Sequence, residues 1–242
     1  MSLLRGGPRH SASPSREVAP RSAALVWELA FTALVVVVAS FALKTFVIQS
    51  FYIPTSSMED TLLVDDRITA TKLAPALLDV HRGDVVVFHD PDGWAGTAEL
   101  PQERGPSAWI HGVAQALGLA PESSDDFIVK RVIGLPGDRV ECAGAGAPVS
   151  VNGQPLDETY LKAGVDPSDV AFDVEVPPDS LWLMGDNRAA SADSRFHIGD
   201  EFGGAVPIDR VVGVAQLRVW PFDRFGLLRN PGAVFRDVPP PS

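Results

Sequence analysis

The chain has 242 residues, a net charge of −11 at pH 7 and a single cysteine, Cys142. A strongly acidic chain lacks the basic face that phosphate groups require, which argues against a nucleic-acid partner. One cysteine excludes an intrachain disulfide and a cluster of thiolates around a metal, and nothing in the sequence implies a metal ion or an organic cofactor.

The amino-terminal tail, residues 1–22, mixes Gly, Pro, Ser and Arg without apolar periodicity. Such a composition buries too little apolar surface to order itself, so we expect this tail to be disordered. It carries four arginines against one glutamate, and the acidic excess lies in the rest of the chain. Short basic segments beside a membrane stay in the cytoplasm, and we expect the tail to lie there.

Residues 23–43 form an apolar run whose only charge, Glu28, lies near the arginine-bearing end. A helix of this length reaches about 32 Å, enough to cross a hydrocarbon core of about 30 Å. We therefore predict a single-pass transmembrane helix in the cell membrane, with the amino terminus cytoplasmic and the following domain extracytoplasmic. A cleaved signal peptide is the alternative, because residues 39–42 include small side chains, but the run exceeds the usual core of about 7 to 15 residues.

Residues 44–229 are predicted to form an extracytoplasmic domain of mainly β fold with antiparallel strands. Asn152 and Gly153 predict a tight hairpin turn, and the apolar stretch 46–52 fits either a core strand or a segment that rests on lipid. Runs rich in β-branched residues, separated by Gly, Pro and Asp, are typical of such strands and occur at 67–71, 84–88, 127–133, 149–151, 181–183 and 211–220.

Two segments interrupt or follow this pattern. Residues 90–126 are rich in Pro, Gly and acidic side chains and are predicted to be an insert between two strands, with Ser107 as the cap of a short helix over 108–119. Residues 230–242 end in a run of prolines, and we expect a flexible tail.

The candidate nucleophile is a serine in the segment 53–58 (IPTSSM), which follows the apolar run closely. A serine hydroxyl needs a base to remove its proton, and the chain has no G-x-S-x-G turn that would place a serine beside one of its five histidines. Lys130 is the other candidate base, because its strand neighbours Ile128 and Val132 are apolar and Arg131 would repel its charge. Burial and repulsion both lower the pKa of a lysine; the alternative is a lysine that extends to solvent from a strand edge.

Four ordered segments behind the apolar run resemble the successive boxes of bacterial type I signal peptidases. They are residues 53–62 (IPTSSMEDTL), 82–88 (RGDVVVF), 128–138 (IVKRVIGLPGD) and 185–195 (GDNRAASADSR). The resemblance covers most of 44–229 and implies a Ser/Lys endopeptidase with a largely β fold. It further implies action on the outer face of the cytoplasmic membrane, with signal-peptide-bearing precursor proteins as substrates.

The resemblance also implies a role for each matching residue. Ser57 would attack the scissile carbonyl, Lys130 would take its proton, Thr55 would join the Ser57 N–H in the oxyanion hole, and Ser191 would orient the lysine. Supporting ion pairs are implied for Arg131, Asp186, Asp193 and Arg195.

Substrate selection is predicted to rest on shallow apolar pockets that favour small side chains before the cut. Phe51, Ile53 and Val129 are the predicted pocket residues, because they lie near the dyad in sequence.

Two departures from the family pattern concern turn geometry. Glu59 and Asp60 stand where the family usually has a proline before Thr-Leu, and Ala189 and Ala190 replace the usual Asp-Asn. One alternative function is a self-cleaving Ser/Lys peptidase of the repressor type, which the apolar run and the acidic domain oppose. Another is a catalytically silent β domain that binds exported chains, which the intact pair of Ser57 and Lys130 opposes.

Overall fold

The computed structural model describes residues 21–91, 93–94 and 127–241. Residues 1–20 of the predicted tail, and most of the predicted insert with its helix over 108–119, lie outside the described residues. The chain divides into two compact units with a boundary after Ser40.

The helix α1 (Arg21–Phe46) covers the segment for which the sequence predicts a helix. Its side chains from Leu25 to Phe41 are exposed, and most of them are apolar. In the part of the chain that the structure describes, no helix has both the length and the apolar character needed to cross a membrane.

The second unit is built from two antiparallel sheets, which confirms the prediction of a mainly β fold. The larger sheet has the order β1-β2-β11-β3-β4-β9-β10, with β12 paired to β11, and the smaller has the order β7-β6-β5-β8. The strands are β1 (Ile48–Tyr52), β2 (Arg67–Thr71), β3 (Val85–His89), β4 (Phe127–Gly134), β5 (Arg139–Cys142), β6 (Ser150–Val151), β7 (Gln154–Pro155), β8 (Phe172–Glu175), β9 (Ser180–Met184), β10 (Val206–Pro207), β11 (Val211–Trp220) and β12 (Gly226–Leu227).

The β-branched runs lie where strands are found, with bounds that differ by at most one residue for most of them. The stretch 46–52 contains β1, which pairs with β2. Asn152 and Gly153 have φ angles of 52° and 78° and form the turn between β6 and β7, so the predicted hairpin is confirmed.

Residues 230–241, for which the sequence predicts a flexible tail, make contacts with the rest of the domain. Phe235 is buried in the same apolar cluster as Trp182, and Val234 and Val238 pack against that cluster. The Asn230 side chain donates to the C=O of Arg82 over 3.0 Å. Three apolar residues that precede the run of prolines cover the core of the smaller sheet: Val234, Phe235 and Val238.

Candidate active site

Ser57 lies in the turn between β1 and β2, and apolar neighbours fix that turn. Met58 and Leu62 are 1% and 0% exposed and share an apolar cluster with Phe51 and Ile53. The N–H of Leu62 donates to the C=O of Met58 over 2.7 Å. Because the residues on both sides are anchored, the Ser57 side chain has a defined place, and it is almost fully buried.

Lys130 lies in the middle of β4, opposite Val86 of β3. Its Nζ donates a hydrogen bond to the Oγ of Ser57 over 2.7 Å, across 73 residues of sequence. Lys130 is 4% exposed. The structure therefore brings the predicted nucleophile and the predicted base into direct contact, with both side chains buried.

Burial lowers the pKa of Lys130 to about 8, because an ammonium group loses its hydration there. The carboxylates of Asp193 and Asp186 raise this pKa, and the charge of Arg195 lowers it. The expected repulsion from Arg131 is replaced by repulsion from Arg195, since neighbours in a strand point to opposite faces. An amine with this pKa is suited to accept a proton from an alcohol near neutral pH.

Thr55 and Ser191, the two predicted helper hydroxyls, differ in their surroundings. Thr55 is exposed, and its Oγ1 lies 3.3 Å from the Oγ of Ser57. Ser191 is buried, and its Oγ has no hydrogen-bond partner, so the structure does not join it to Lys130. A Cβ at Gly185 would lie 2.3 Å from the Ser191 Oγ and 2.5 Å from the Ser57 C=O oxygen. Glycine at position 185 therefore lets the Ser191 segment approach the nucleophile.

The guanidinium of Arg131 is enclosed by oxygen atoms. It donates to the two carboxylate oxygens of Asp186 over 2.8 and 2.6 Å and to the C=O of Gly83 over 2.7 Å. Thr61, from the turn that carries Ser57, donates to Asp186 over 2.6 Å. This pair therefore ties β4 to the nucleophile turn and to the segment after β9.

Asp193 and Arg195 form a second buried ion pair, with distances of 2.8 and 2.9 Å. Asp193 also accepts from the N–H of Gly185, and Arg195 donates to the C=O of Arg188. Burial alone would raise the pKa of Asp193, but the hydrogen bonds and charge of Arg195, with the Gly185 N–H, hold it below its usual value. The pair braces the loop that carries Ser191.

A third buried pair, between Arg188 and Glu158, was not found from the sequence. Tyr160 donates to Glu158 over 2.6 Å, and its ring lies 4.4 Å from the guanidinium carbon of Arg131. Arg188 belongs to the recognised segment 185–195, whereas Glu158 and Tyr160 lie in the irregular connection between β7 and β8, where no local pattern marks them.

Sequence reasoning also missed Asn187 and Lys162, whose side chains form hydrogen bonds with the nucleophile turn. Asn187 donates from its Nδ2 to the C=O of Ser56 over 3.0 Å. Glu59 accepts from Nζ of Lys162 over 2.5 Å. The sequence could have pointed to Asn187, because it lies inside the segment 185–195. Lys162 lies outside the four recognised segments, so no motif marks it.

The departures from the family pattern have visible consequences. Asp60 has a φ of 90°, which proline, held near −65°, does not adopt. The turn after Ser57 therefore uses a backbone conformation that the usual proline excludes. Ala189 and Ala190 are exposed in the short 3₁₀ turn Arg188–Ala190.

The predicted pocket residues are more enclosed than expected. Phe51 and Ile53 are each 2% exposed and belong to the apolar cluster under the nucleophile turn. Val129 is half-buried and packs against that cluster. Val129 thus offers most of the accessible apolar surface of this trio. Within 21–91, 93–94 and 127–241, no three His, Cys, Asp or Glu side chains are grouped as a metal site needs.

The family model and the sequence relatives agree with each other on the family. Residues 26–220 match the family model for signal peptidase, peptidase S26. The chain is 35% identical to a signal peptidase I of Mycobacterium tuberculosis, over 90% of this chain and 81% of the relative. It is also 35% identical to a probable signal peptidase I-2 of Synechocystis, over 84% of this chain and 77% of the relative. A solved signal peptidase I from Enterococcus faecalis aligns with 23% identity and a TM-score of 0.34, over 56% of this chain and 95% of that chain.

Proposed function

This chain belongs to the peptidase S26 family of signal peptidases and is a serine peptidase, and from that premise we propose that it removes signal peptides from exported precursor proteins with a Ser57–Lys130 dyad. The observation that carries the proposal is the 2.7 Å hydrogen bond between Lys130 Nζ and Ser57 Oγ. A pKa of about 8 for Lys130 supports the role of general base, because a sizeable neutral fraction then exists near neutral pH.

In the proposed reaction, the neutral amine of Lys130 takes the Ser57 proton while Oγ attacks the scissile carbonyl carbon. The tetrahedral intermediate collapses as the C–N bond breaks, and the Lys130 ammonium gives its proton to the leaving amine. Water then attacks the acyl carbon and passes a proton to Lys130. The second collapse frees the carboxyl end of the signal peptide and returns that proton to Ser57.

The Ser57 N–H and the Thr55 hydroxyl are the proposed oxyanion donors. The distance of 3.3 Å between Thr55 Oγ1 and Ser57 Oγ supports this role, because it places the threonine hydroxyl next to the attacking atom. Such a donor stabilises the negative charge that develops only in the transition state, and its loss typically costs about 3 to 4 kcal/mol. Thr55→Val should therefore slow turnover without abolishing it.

Ser191 is proposed to orient Lys130 once the amine is neutral. Its support is a buried hydroxyl without a partner, packed against Gly185 next to the Ser57 backbone. A buried hydroxyl of this kind has a strong drive to find a hydrogen bond, and a neutral amine can supply or accept one. The pairs of Arg131 with Asp186 and of Asp193 with Arg195 are proposed to hold this arrangement rigid.

Cleavage after small residues is proposed because the predicted pocket residues leave little accessible apolar surface near Ser57 and Lys130: Phe51 and Ile53 are each 2% exposed, and Val129 is half-buried. Val129, in the strand of Lys130, would contact the substrate side chain. Phe51 and Ile53 would close the floor beneath it, since both are buried in the adjoining cluster.

Membrane attachment is proposed to rest on α1. The exposed apolar side chains from Leu25 to Phe41 and the arginine-rich tail before them support an anchor with a cytoplasmic amino terminus. Alkaline carbonate extraction of membranes would test this, with retention in the pellet as the expected result. Release of the full-length protein into the supernatant would contradict the anchor.

Cleavage of a preprotein by purified protein in detergent tests the catalytic proposal. The wild type should release the signal peptide at one bond, identified by mass spectrometry, and Ser57→Ala and Lys130→Ala should each abolish release while remaining folded. Ser180→Ala, which changes another buried serine in β9, serves as the matched control. Full activity of either dyad variant would refute the assignment.

A further inference from the structure

We propose that Asn187 is a positioning residue that aims the backbone N–H of Ser57 at the substrate carbonyl, with Glu59 and Lys162 holding Asn187 in its working orientation. This inference rests on the proposed function, since it takes Ser57 as the nucleophile. It adds a layer of residues that touches neither the Ser57 hydroxyl nor the Lys130 amine.

Asn187 donates hydrogen bonds to two consecutive carbonyl groups of the nucleophile turn. Its backbone N–H donates to the C=O of Ser57 over 3.0 Å, and its side-chain Nδ2 donates to the C=O of Ser56, also over 3.0 Å. Asn187 is 3% exposed, so water competes little for these bonds. One residue thereby fixes the peptide planes on both sides of the Ser57 Cα.

The contact with Ser56 sets the direction of the Ser57 N–H. The bond between Ser56 and Ser57 is among the trans peptides of the chain, and in a planar trans peptide the C=O and N–H point in opposite directions. Because the Ser56 C=O points at Asn187, the Ser57 N–H points away from it. That N–H is one of the two proposed oxyanion donors, and such donors act through being oriented before the reaction.

Glu59 and Lys162 determine which way the Asn187 amide faces. The Nδ2 group lies between two acceptors, the Ser56 C=O and the Glu59 carboxylate, the second at 3.4 Å. A flipped amide would place its oxygen against both acceptors, so the carboxylate selects the donating orientation. Lys162 holds that carboxylate over 2.5 Å, and its own N–H donates to the C=O of Asp186 over 3.1 Å.

This arrangement makes a specific kinetic prediction. Asn187→Ala removes the side-chain donor but leaves Ser57, Lys130 and their hydrogen bond in place, so kcat should fall about 10- to 100-fold. KM and the acid limb of the pH profile should stay unchanged, because neither substrate binding nor the Lys130 pKa is altered. Asn187→Asp should be worse, because its second oxygen faces the Ser56 C=O and the Glu59 carboxylate.

The experiment compares wild type, Asn187→Ala and Asn187→Asp in single-turnover cleavage of a preprotein, together with the binding of two probes. A peptide aldehyde that ends in alanine forms a tetrahedral adduct with Ser57 and reports on the oxyanion donors. The peptide amide of the same sequence reports on ground-state binding. Aldehyde affinity should fall by the same factor as kcat, with amide affinity unchanged.

Asn230→Ala is the matched control. Its Nδ2 also donates to a backbone C=O, that of Arg82, and to a carboxylate, that of Asp84, over 3.0 and 2.6 Å. It lies away from the Ser57 turn in sequence and contacts. Asn230→Ala should therefore keep the wild-type kcat and aldehyde affinity, although it loses the same kinds of hydrogen bond.

Lys162→Met keeps the inference testable if the Asn187 variants fail to fold, because Lys162 is 41% exposed at its side chain. We expect a loss of about 3-fold in kcat, with recovery in Lys162→Arg, which can still pair with Glu59. Wild-type kcat in a folded Asn187→Ala variant, or in Lys162→Met where the Asn187 variants do not fold, would overturn the inference.

The outcomes separate the two proposals. A wild-type protein that leaves the preprotein intact would refute the proposed function, and the positioning role with it. A wild-type protein that cleaves, beside an Asn187→Ala variant whose loss lies in KM or in a displaced pH limb, would overturn the positioning role alone.

Discussion

Two guanidinium–carboxylate pairs have nearly the same geometry and opposite surroundings. Arg131 donates to Asp186 over 2.8 and 2.6 Å, and Arg139 donates to Asp173 over 2.7 and 2.6 Å. The first pair lies beside the dyad, with side chains 2% and 0% exposed, whereas the second lies on the smaller sheet, with side chains 62% and 53% exposed. The distances alone therefore do not show how much such an ion pair contributes to stability.

Burial decides how much such an ion pair contributes to the stability of the fold. Water solvates the charges of an exposed pair whether or not they meet, so their contact adds little. A buried charge that loses its partner has no such compensation. The proposed dyad includes a lysine with a lowered pKa and lies in the region of three buried ion pairs, whereas the paired charges on the smaller sheet are exposed to solvent. The buried region thus combines rigid placement with the low polarity that keeps Lys130 partly neutral.

Asp186→Ala should give the largest effect, because it leaves the Arg131 guanidinium buried without its carboxylate. We expect the free energy of unfolding to fall by about 3 to 5 kcal/mol, measured by urea denaturation at pH 7. The matching change on the smaller sheet, Asp173→Ala, should produce no measurable shift. Equal losses in the two variants would break the comparison between the regions.

The pH dependence of cleavage should show the low polarity of the buried region directly. The proposed reaction needs neutral Lys130, whose pKa is lowered by burial to about 8. The value of kcat/KM should therefore rise tenfold per pH unit below about 8 and level off above it, so that pH 6 gives about 1% of the plateau. Arg139→Ala, on the smaller sheet, should leave this profile in place. An acid limb centred near the usual lysine value of about 10.4 would contradict the role of burial.

Lys130→Met should abolish cleavage and stabilise the protein by about 2 kcal/mol at pH 6 to 7. At that pH the lysine is charged in both the folded and the unfolded chain, and burial penalises the folded one. As the pH rises above 8, the folded protein loses this proton before the unfolded chain does, so wild-type stability increases and the gain disappears. Thermal unfolding across pH 6 to 10.5 would measure this. A gain of the same size at pH 10.5, or in Arg139→Met, would show that desolvation is not its cause.

Sequence reasoning reached the proposed dyad because both members lie in compact motifs. Ser57 and Lys130 sit in segments whose order and spacing are specific, and the family and the serine peptidase activity are confirmed by comparison. Strong β-branched runs likewise predicted β2 and β11 with their observed bounds. Local patterns of this kind carry their information within about ten residues.

The features that sequence reasoning missed depend on contacts between distant parts of the chain. Glu158 and Tyr160 meet Arg188 and Arg131 only after folding, and their segment has no periodicity. The strands β5 and β8 are only four residues long, which is too short for their alternation of apolar and charged residues to distinguish them from loops. Phe235 becomes a core residue only because the smaller sheet is there to receive it.

Tyr160→Phe should give the smallest measurable change in the free energy of unfolding. It also gives the sharpest comparison of the buried region with the surface. The chain has two tyrosines, and each donates to a carboxylate: Tyr160 to Glu158 in the buried region, and Tyr52 to Asp65 nearer the surface. Burial raises the pKa of Tyr160 well above its ordinary value. Removing its hydroxyl should cost about 1 to 2 kcal/mol in unfolding free energy, because Glu158 loses a donor that water cannot replace, while the ring stays over Arg131. Tyr52→Phe should change stability immeasurably, since water reaches Asp65. Equal effects of the two substitutions in urea denaturation would mean that burial does not set the value of these contacts.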